Sequence, residues 1–396
     1  MEDTKPLFRT LAVASFFLYF GFNVWQAIFN NFAVEELGVR ADQIGVIQSL
    51  RELPGLFGFL LGFLALWLSE MRIMGISVLL TGLGVVLTGH AAGLGTLMLG
   101  TMVTSIGFHF FYPSSSSLLL MAFGKEDAPR ALGRLQSVSS LAALLGTLAI
   151  WCFVDGMQIG QFQIPAWGYR TTLYAAGGVA IIGGLFSLRG NQHPAARRQR
   201  QKVIFRRDYW LYYALTFLMG SRRHIFTTFA IFLLVQVHGI SVRQTAMLFL
   251  INNLINTYAS AQLGKLVARF GERRILTFNF IGLVGVFLGY AYVPYLAVLY
   301  VLFVLDNIFF AFNFAVDSYF QKIVHSPEEI TSNISLAQSI NHISALVVPV
   351  LGGILWEQVS PSATFLAGVV IAVVSLGLVQ FIRIQPFRTP LPVPMD

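Results

Sequence analysis

Apolar runs of membrane-spanning length, broken by short polar stretches, organise this chain from end to end. A bilayer core takes about 20 apolar residues per helix. Twelve segments meet that length, at 8–30, 43–67, 72–91, 95–121, 131–155, 170–188, 209–237, 242–267, 274–292, 296–320, 332–356 and 363–385. The first is too long for a signal-peptide core, and no small-residue cleavage site follows it, so it is expected to be retained. The longest polar break, RGNQHPAARRQRQKVIFRRD at 189–208, separates six segments from six. The pattern predicts an all-α integral membrane protein. It has an N-terminal six-helix bundle at 1–188, a basic linker at 189–208 and a C-terminal six-helix bundle at 209–396.

Composition agrees with that class. The 396 residues are 56% hydrophobic and 11% charged, against about 25% charged in a soluble domain. Mean hydropathy is +0.70. The single cysteine, Cys152, excludes a disulfide framework, and no zinc-ligand spacing is present. The net charge of +8 would suit nucleic acid, but the basic residues are dispersed among loops, where membrane topology accounts for them.

With the N-terminus placed inside, 20 of the 26 Lys and Arg residues fall on the inner side, seven of them within 189–207. Arg40, Arg170 and Arg243 fall outside, and Arg51, Arg222 and Arg223 lie within apolar segments. This asymmetry predicts that both termini are cytoplasmic. Short loops and compact length suggest a bacterial inner membrane, and a monomer is expected.

The halves also repeat at a constant offset of 202 residues. Gly62, Leu64, Glu70 and Arg72 align with Gly264, Leu266, Glu272 and Arg274, while Gln136, Ser137, Ala143 and Leu144 align with Gln338, Ser339, Ala345 and Leu346. Glu126–Asp127 corresponds to Glu328–Glu329. Such parallel repeats are a transporter design, with substrate held near the midplane between halves.

The stretch GKLVARFGERRIL at 264–276 resembles a cytoplasmic loop signature of the major facilitator superfamily, through Gly264, Leu266, Arg269, Gly271, Arg273 and Arg274. Ala268 stands where that pattern carries Asp, and the first-half counterpart at 62–74 keeps Gly62, Leu64 and Arg72. The resemblance implies alternating access between two bundles and a gating role for Arg72, Gly264, Arg269, Gly271, Arg273 and Arg274. It names no substrate, since one fold hosts many.

Polar placement gives an independent reading. The cores of the third, sixth, ninth and twelfth segments (73–89, 171–187, 275–290 and 364–382) hold no Asp, Glu, Lys, Arg or His. The others carry Arg51 and Glu52, His109, Arg222, Arg223 and His224, Asp306 and His342, each within a few residues of its segment's centre. Groups at that depth face a bundle interior or a watery cavity, and each Arg costs roughly 2.5–3.5 kcal/mol to insert. On the seventh segment Thr216, Gly220, Ser221, Arg223, His224, Thr227 and Thr228 share one arc. Arg222 falls outside it, toward a neighbouring helix or an acidic partner. Asn252, Asn313 and Gln338 are as readily interhelical hydrogen-bonding groups as ligands.

Three guanidinium groups against two carboxylates leave this layer positive, and Arg pairs well with carboxylate and phosphate. The sequence therefore predicts a secondary active transporter of a small anionic solute, with proton coupling left open. Substrate contacts are expected from Arg51, Arg222, Arg223, His224, Asn23, His109, Asn256 and His342, with Glu52 and Asp306 as counter-ions or proton carriers. A proton-linked exporter of amphipathic or multidrug compounds is the alternative. Met98, Met102 and His109 share one helix face and raise a smaller case for soft-metal transport. No nucleophile elbow, phosphate-binding Gly loop or metal-ligand box is present, so neither an enzyme nor a bound cofactor is expected.

Overall fold

The computed structural model describes residues 5–57, 64, 67–123, 127–159, 162–189, 205–312, 314–325 and 327–383. In the first half α1 spans Lys5–Asn31, α2 Ala41–Leu56, α3 Glu70–Gly89, α4 Leu94–Ala122, α5 Ala128–Phe153 and α6 Gly168–Leu188. In the second, α7 spans Trp210–Gln236, α8 Val242–Phe270 and α9 Glu272–Tyr292. The tenth segment is divided into α10, Leu296–Ala311, and α11, Phe314–Ile323. Then follow α12, Pro327–Gln358, and α13, Pro361–Val379.

Ten described helical spans are long and apolar enough to cross a membrane. The two expected spans outside that set have different reasons. The described part of the second segment, α2, is only 16 residues long. The eighth, α8, has 29 residues but carries Asn252, Asn253 and Asn256, which lower its hydropathy. A two-stranded hairpin, β1 Met157–Ile159 paired antiparallel with β2 Phe162–Ile164, joins α5 to α6. Most of the basic stretch 189–208 lies outside the described residues.

Small residues let the helices approach. A Cβ on Gly84 of α3 would meet the Thr104 amide of α4 at 2.2 Å, so only glycine permits that crossing. Above it, Trp25 Nε1 of α1 donates to Thr88 Oγ1 at 3.1 Å. Serine and threonine hydroxyls deeper in α3 return to their own helix, as Ser77 does to the Ile73 carbonyl at 2.7 Å. This meets the rule that polar groups in an apolar medium must find an internal partner.

The apolar core is divided unevenly. One cluster draws on both halves, joining Trp25, Phe29 and Phe32 to Phe229, Phe232 and Trp356. Two further clusters are each confined to one half, around Leu11, Met74 and Phe111 in the first and around Tyr212, Phe280 and Phe320 in the second. The halves are thus packed together at the end holding residues 31–41 and 240–245. Toward the end where α1 and α7 begin, they keep separate cores.

Polar contacts reinforce the joined end. Asn31 Nδ2 donates to the Ile240 carbonyl at 2.8 Å, and Thr245 Oγ1 donates to Asn31 Oδ1 at 3.1 Å. The Ala41 amide donates to Glu357 Oε1 at 2.9 Å. Arg243 pairs with Asp155 at 3.3 Å and also donates to the Trp151 and Gly156 carbonyls. Backbone contact is closest where α2 crosses α12: a Cβ on Gly45 would stand 2.2 Å from the Pro349 carbonyl oxygen.

Candidate functional site

Past this seal, α2, α4, α7, α10 and α12 bring charged and polar side chains into the interior. On α7, consecutive residues diverge by 100°, and the two arginines take different environments. Arg222 is fully buried and reaches Asp306 of α10, Nη1 to Oδ1, at 3.0 Å. Its Nε and Nη2 have no hydrogen-bond partner among the described residues. Arg223 is partly exposed and lies 4.2 Å from the centroid of the Phe310 ring, one turn beyond Asp306. Among the described residues no carboxylate lies within 4.0 Å of it. The guanidinium over an aromatic face gains a cation–π contact, which orients the group without neutralising it.

The facing surface comes from the other half. Glu52 of α2 takes three neighbours: Arg51 Nη2 at 3.4 Å, His109 Nε2 of α4 at 3.7 Å and His342 Nδ1 of α12 at 3.4 Å. Since α12 belongs to the second half, this carboxylate bridges the two bundles. The His109 and His342 rings meet edge-on, with centroids 5.7 Å apart. Gly55, one turn after Arg51, supplies the room: a Cβ there would sit 2.2 Å from the His342 ring. The helix carrying Glu52, α2, also packs against α7, which carries Arg223 and His224.

Ser105 was not singled out by the sequence, yet it fixes His109. Its hydroxyl donates to the Arg51 carbonyl, and its own Oγ and backbone oxygen both lie 3.0 Å from His109 Nδ1. With its proton committed, the hydroxyl can only accept, as can the carbonyl. Nδ1 of His109 must therefore carry the hydrogen. A serine four residues before a histidine on an apolar helix was the available signal.

Other expected contacts are placed differently. His224 is buried, with Nε2 unpartnered among the described residues. Asn23 spends its amide on the Tyr19 carbonyl of its own helix, at 2.7 Å. Asn341, on α12, faces α7, where a Cβ on Gly220 would stand 2.7 Å from its Oδ1. The side chain of Asn256, and Asn313 altogether, lie outside the described residues.

The sequence profile of the Major Facilitator Superfamily matches residues 11–329. The chain belongs to that superfamily. It is similar in structure to a single-residue mutant of the nucleoside transporter NupG, with a TM-score of 0.77, 15% identity, and coverage of 94% of this chain and 99% of that one. It is also similar to a bacterial homologue of the human lysosomal transporter Spinster in an inward-facing, occupied conformation, with a TM-score of 0.72, 14% identity, and coverage of 94% and 95%. At those identities the likeness concerns the fold. No curated protein gives a match to this chain.

Membership makes this protein a membrane-embedded transporter of a small molecule rather than an enzyme. The loop residues that resemble the superfamily signature sit at the end opposite the seal. Gly271 takes φ +81° between α8 and α9, a conformation suited to glycine. Arg269 lies over the Phe270 ring at 5.3 Å, and Arg273 donates to Gln380 Oε1 at 3.1 Å, both within the second half. Arg72 and Arg274 are exposed, and the surroundings of Gly264 lie outside the described residues. Glu272, which the repeat pairs with Glu70, is buried and binds Lys322 at 2.5 Å. Glu272 follows Gly271 directly, and its partners Lys322 and Ser318 lie on α11.

Proposed function

We propose that this superfamily member carries a small anionic solute by alternating access, and that Arg223 is its principal contact. One observation carries the reading: Arg223 stands at the interface with no carboxylate within 4.0 Å among the described residues, while Arg222 beside it is neutralised by Asp306. Glu52 is shared between Arg51 and two imidazoles. Three guanidinium groups against two carboxylates leave one positive charge in a setting where uncompensated charge is expensive. A bound carboxylate or phosphate would meet that charge through paired donors.

In this reading 1–188 and 209–396 are the moving units and 189–208 their tether. Lys and Arg asymmetry supports cytoplasmic termini in a bacterial inner membrane. The sealed end then faces outward, and the described conformation is inward-facing. Arg51 and Arg223 come from opposite halves, so an anion bridging them would draw the bundles together.

The test is exchange of radiolabelled carboxylates and phosphates in proteoliposomes. Arg223→Gln or Arg51→Gln is expected to abolish exchange with reconstituted protein at normal yield. Unchanged exchange in both variants rejects the reading. The proton-linked alternative instead expects Asp306→Asn to uncouple transport from a pH gradient while many compounds are still carried.

A further inference from the structure

Glu52, His109 and His342 come from three helices and both halves, and one ligand atom from each lies within 4.8 Å of the others. No spacing along the chain betrays this group, because 56 and 232 residues intervene. We propose that these three side chains form a binding site for a divalent first-row transition ion, closed only when the halves meet at this end.

Four observations carry the assignment. The donors are two imidazoles and a carboxylate, a set that suits zinc and its neighbours rather than calcium or magnesium. Their separations of 3.4 and 3.7 Å from Glu52 Oε2 are close to the ~3.3 Å between donors around a tetrahedral ion with bonds of about 2.0 Å. His109 holds its Nδ1 hydrogen on Ser105, which turns the Nε2 lone pair toward the acceptor-only carboxylate. Fixing a ligand imidazole by its far nitrogen is the usual outer-shell device of metal sites. Finally, His342 Nδ1 is buried without a hydrogen-bond partner. An imidazole nitrogen facing a carboxylate carries either a proton or a bound cation, and a cation here would take a lone pair from both rings at once.

Three protein donors leave a coordination position open, as in sites that take an exogenous ligand. An anion held by Arg223 and donating to that position would offset the ion's charge beside Arg51. That last link rests on the anion reading, whereas the ion site does not. The further reach is that metal occupancy would tie α2 and α4 to α12 and so favour the conformation in which these halves touch.

The experiment titrates untagged, metal-stripped full-length protein in detergent with Co2+ or Zn2+ chloride and no organic anion, following cobalt absorption and calorimetric heat. One ion per chain is expected, with affinity falling roughly 100-fold or more in His342→Gln and in Glu52→Gln. Arg223→Gln, which removes no donor, is expected to keep the stoichiometry. Circular dichroism melting identifies a variant that has not folded, and the second variant then decides. Absence of saturable binding, or binding in both ligand variants as tight as in the parent, overturns the site. Because the titration contains metal alone, loss of anion exchange in Arg223→Gln with intact cobalt binding, or the converse, separates the two proposals.

Discussion

Arg222 and Asp306 meet at 3.0 Å with both side chains removed from solvent, and both belong to the second half of the chain. Attraction between them offsets a desolvation cost that neither would bear alone. Asp306→Asn leaves the guanidinium buried with Nε and Nη2 already unpartnered. The expected loss is about 3–5 kcal/mol, read as unfolding free energy in detergent. Replacing both, Arg222→Met with Asp306→Leu, is expected to recover most of it. A loss in Asp306→Asn below about 1 kcal/mol, the range of exposed pairs, would show that water reaches the site.

Asn31 links the halves through two hydrogen bonds, to Ile240 and Thr245. Removing its amide leaves those buried partners unsatisfied, at about 1–3 kcal/mol, and about 1.4 kcal/mol is tenfold in population. In a Cys152→Ser background, spin labels at Arg40→Cys and Val237→Cys would report the separation across the seal. Asn31→Ala is expected to add a longer-distance population that the parent lacks. An unchanged distance distribution would assign the seal to the apolar cluster alone.

Gly45 contacts backbone rather than a movable side chain. The atom 2.2 Å from a Cβ at that position is the Pro349 carbonyl oxygen, with Val350 Cα at 3.4 Å. Gly45→Ala must push α2 and α12 apart, and transport is expected to fall at least tenfold. Gly95→Ala, where a Cβ meets nothing within 4 Å, is the control and is expected to transport as the parent does. Equal activity in the two would mean that the α2–α12 approach is not needed in the cycle.

Much of this was legible in the chain because apolar runs of fixed length have few structural solutions in a bilayer. The polar layer was also legible, since a charge at a segment centre needs a reason. The 100° step along α7 sets Arg222, buried against Asp306, apart from Arg223, partly exposed over Phe310, whereas His224 is buried. What the sequence could not supply was partnership across helices. Glu52, read beside Arg51 as a local neutraliser, lies as close to His342 as to Arg51. Ser105 gains its role only because α4 packs on α2. The turn at Phe312 that ends α10 and the pairing of 157–159 with 162–164 arise from local backbone choices that apolar periodicity does not record.

Glu329 gives a pH-dependent expectation at the end opposite the seal. It is buried, accepts from Tyr209 Oη at 2.5 Å and pairs with Arg206 at 2.7 Å. The Tyr209 hydrogen bond first, then the Arg206 charge, hold its carboxyl below its ordinary value of 4.5. A group with a depressed folded-state value stabilises the fold above its unfolded value, and that stabilisation is lost as pH falls through the lowered one. The melting-temperature difference between the parent and Glu329→Gln is therefore expected to stay constant from pH 7 down to about pH 5. It should then shrink as the solution is acidified further. A difference that grew on acidification would mean that Glu329 is protonated in the folded protein, and that Tyr209 and Arg206 do not hold its charge.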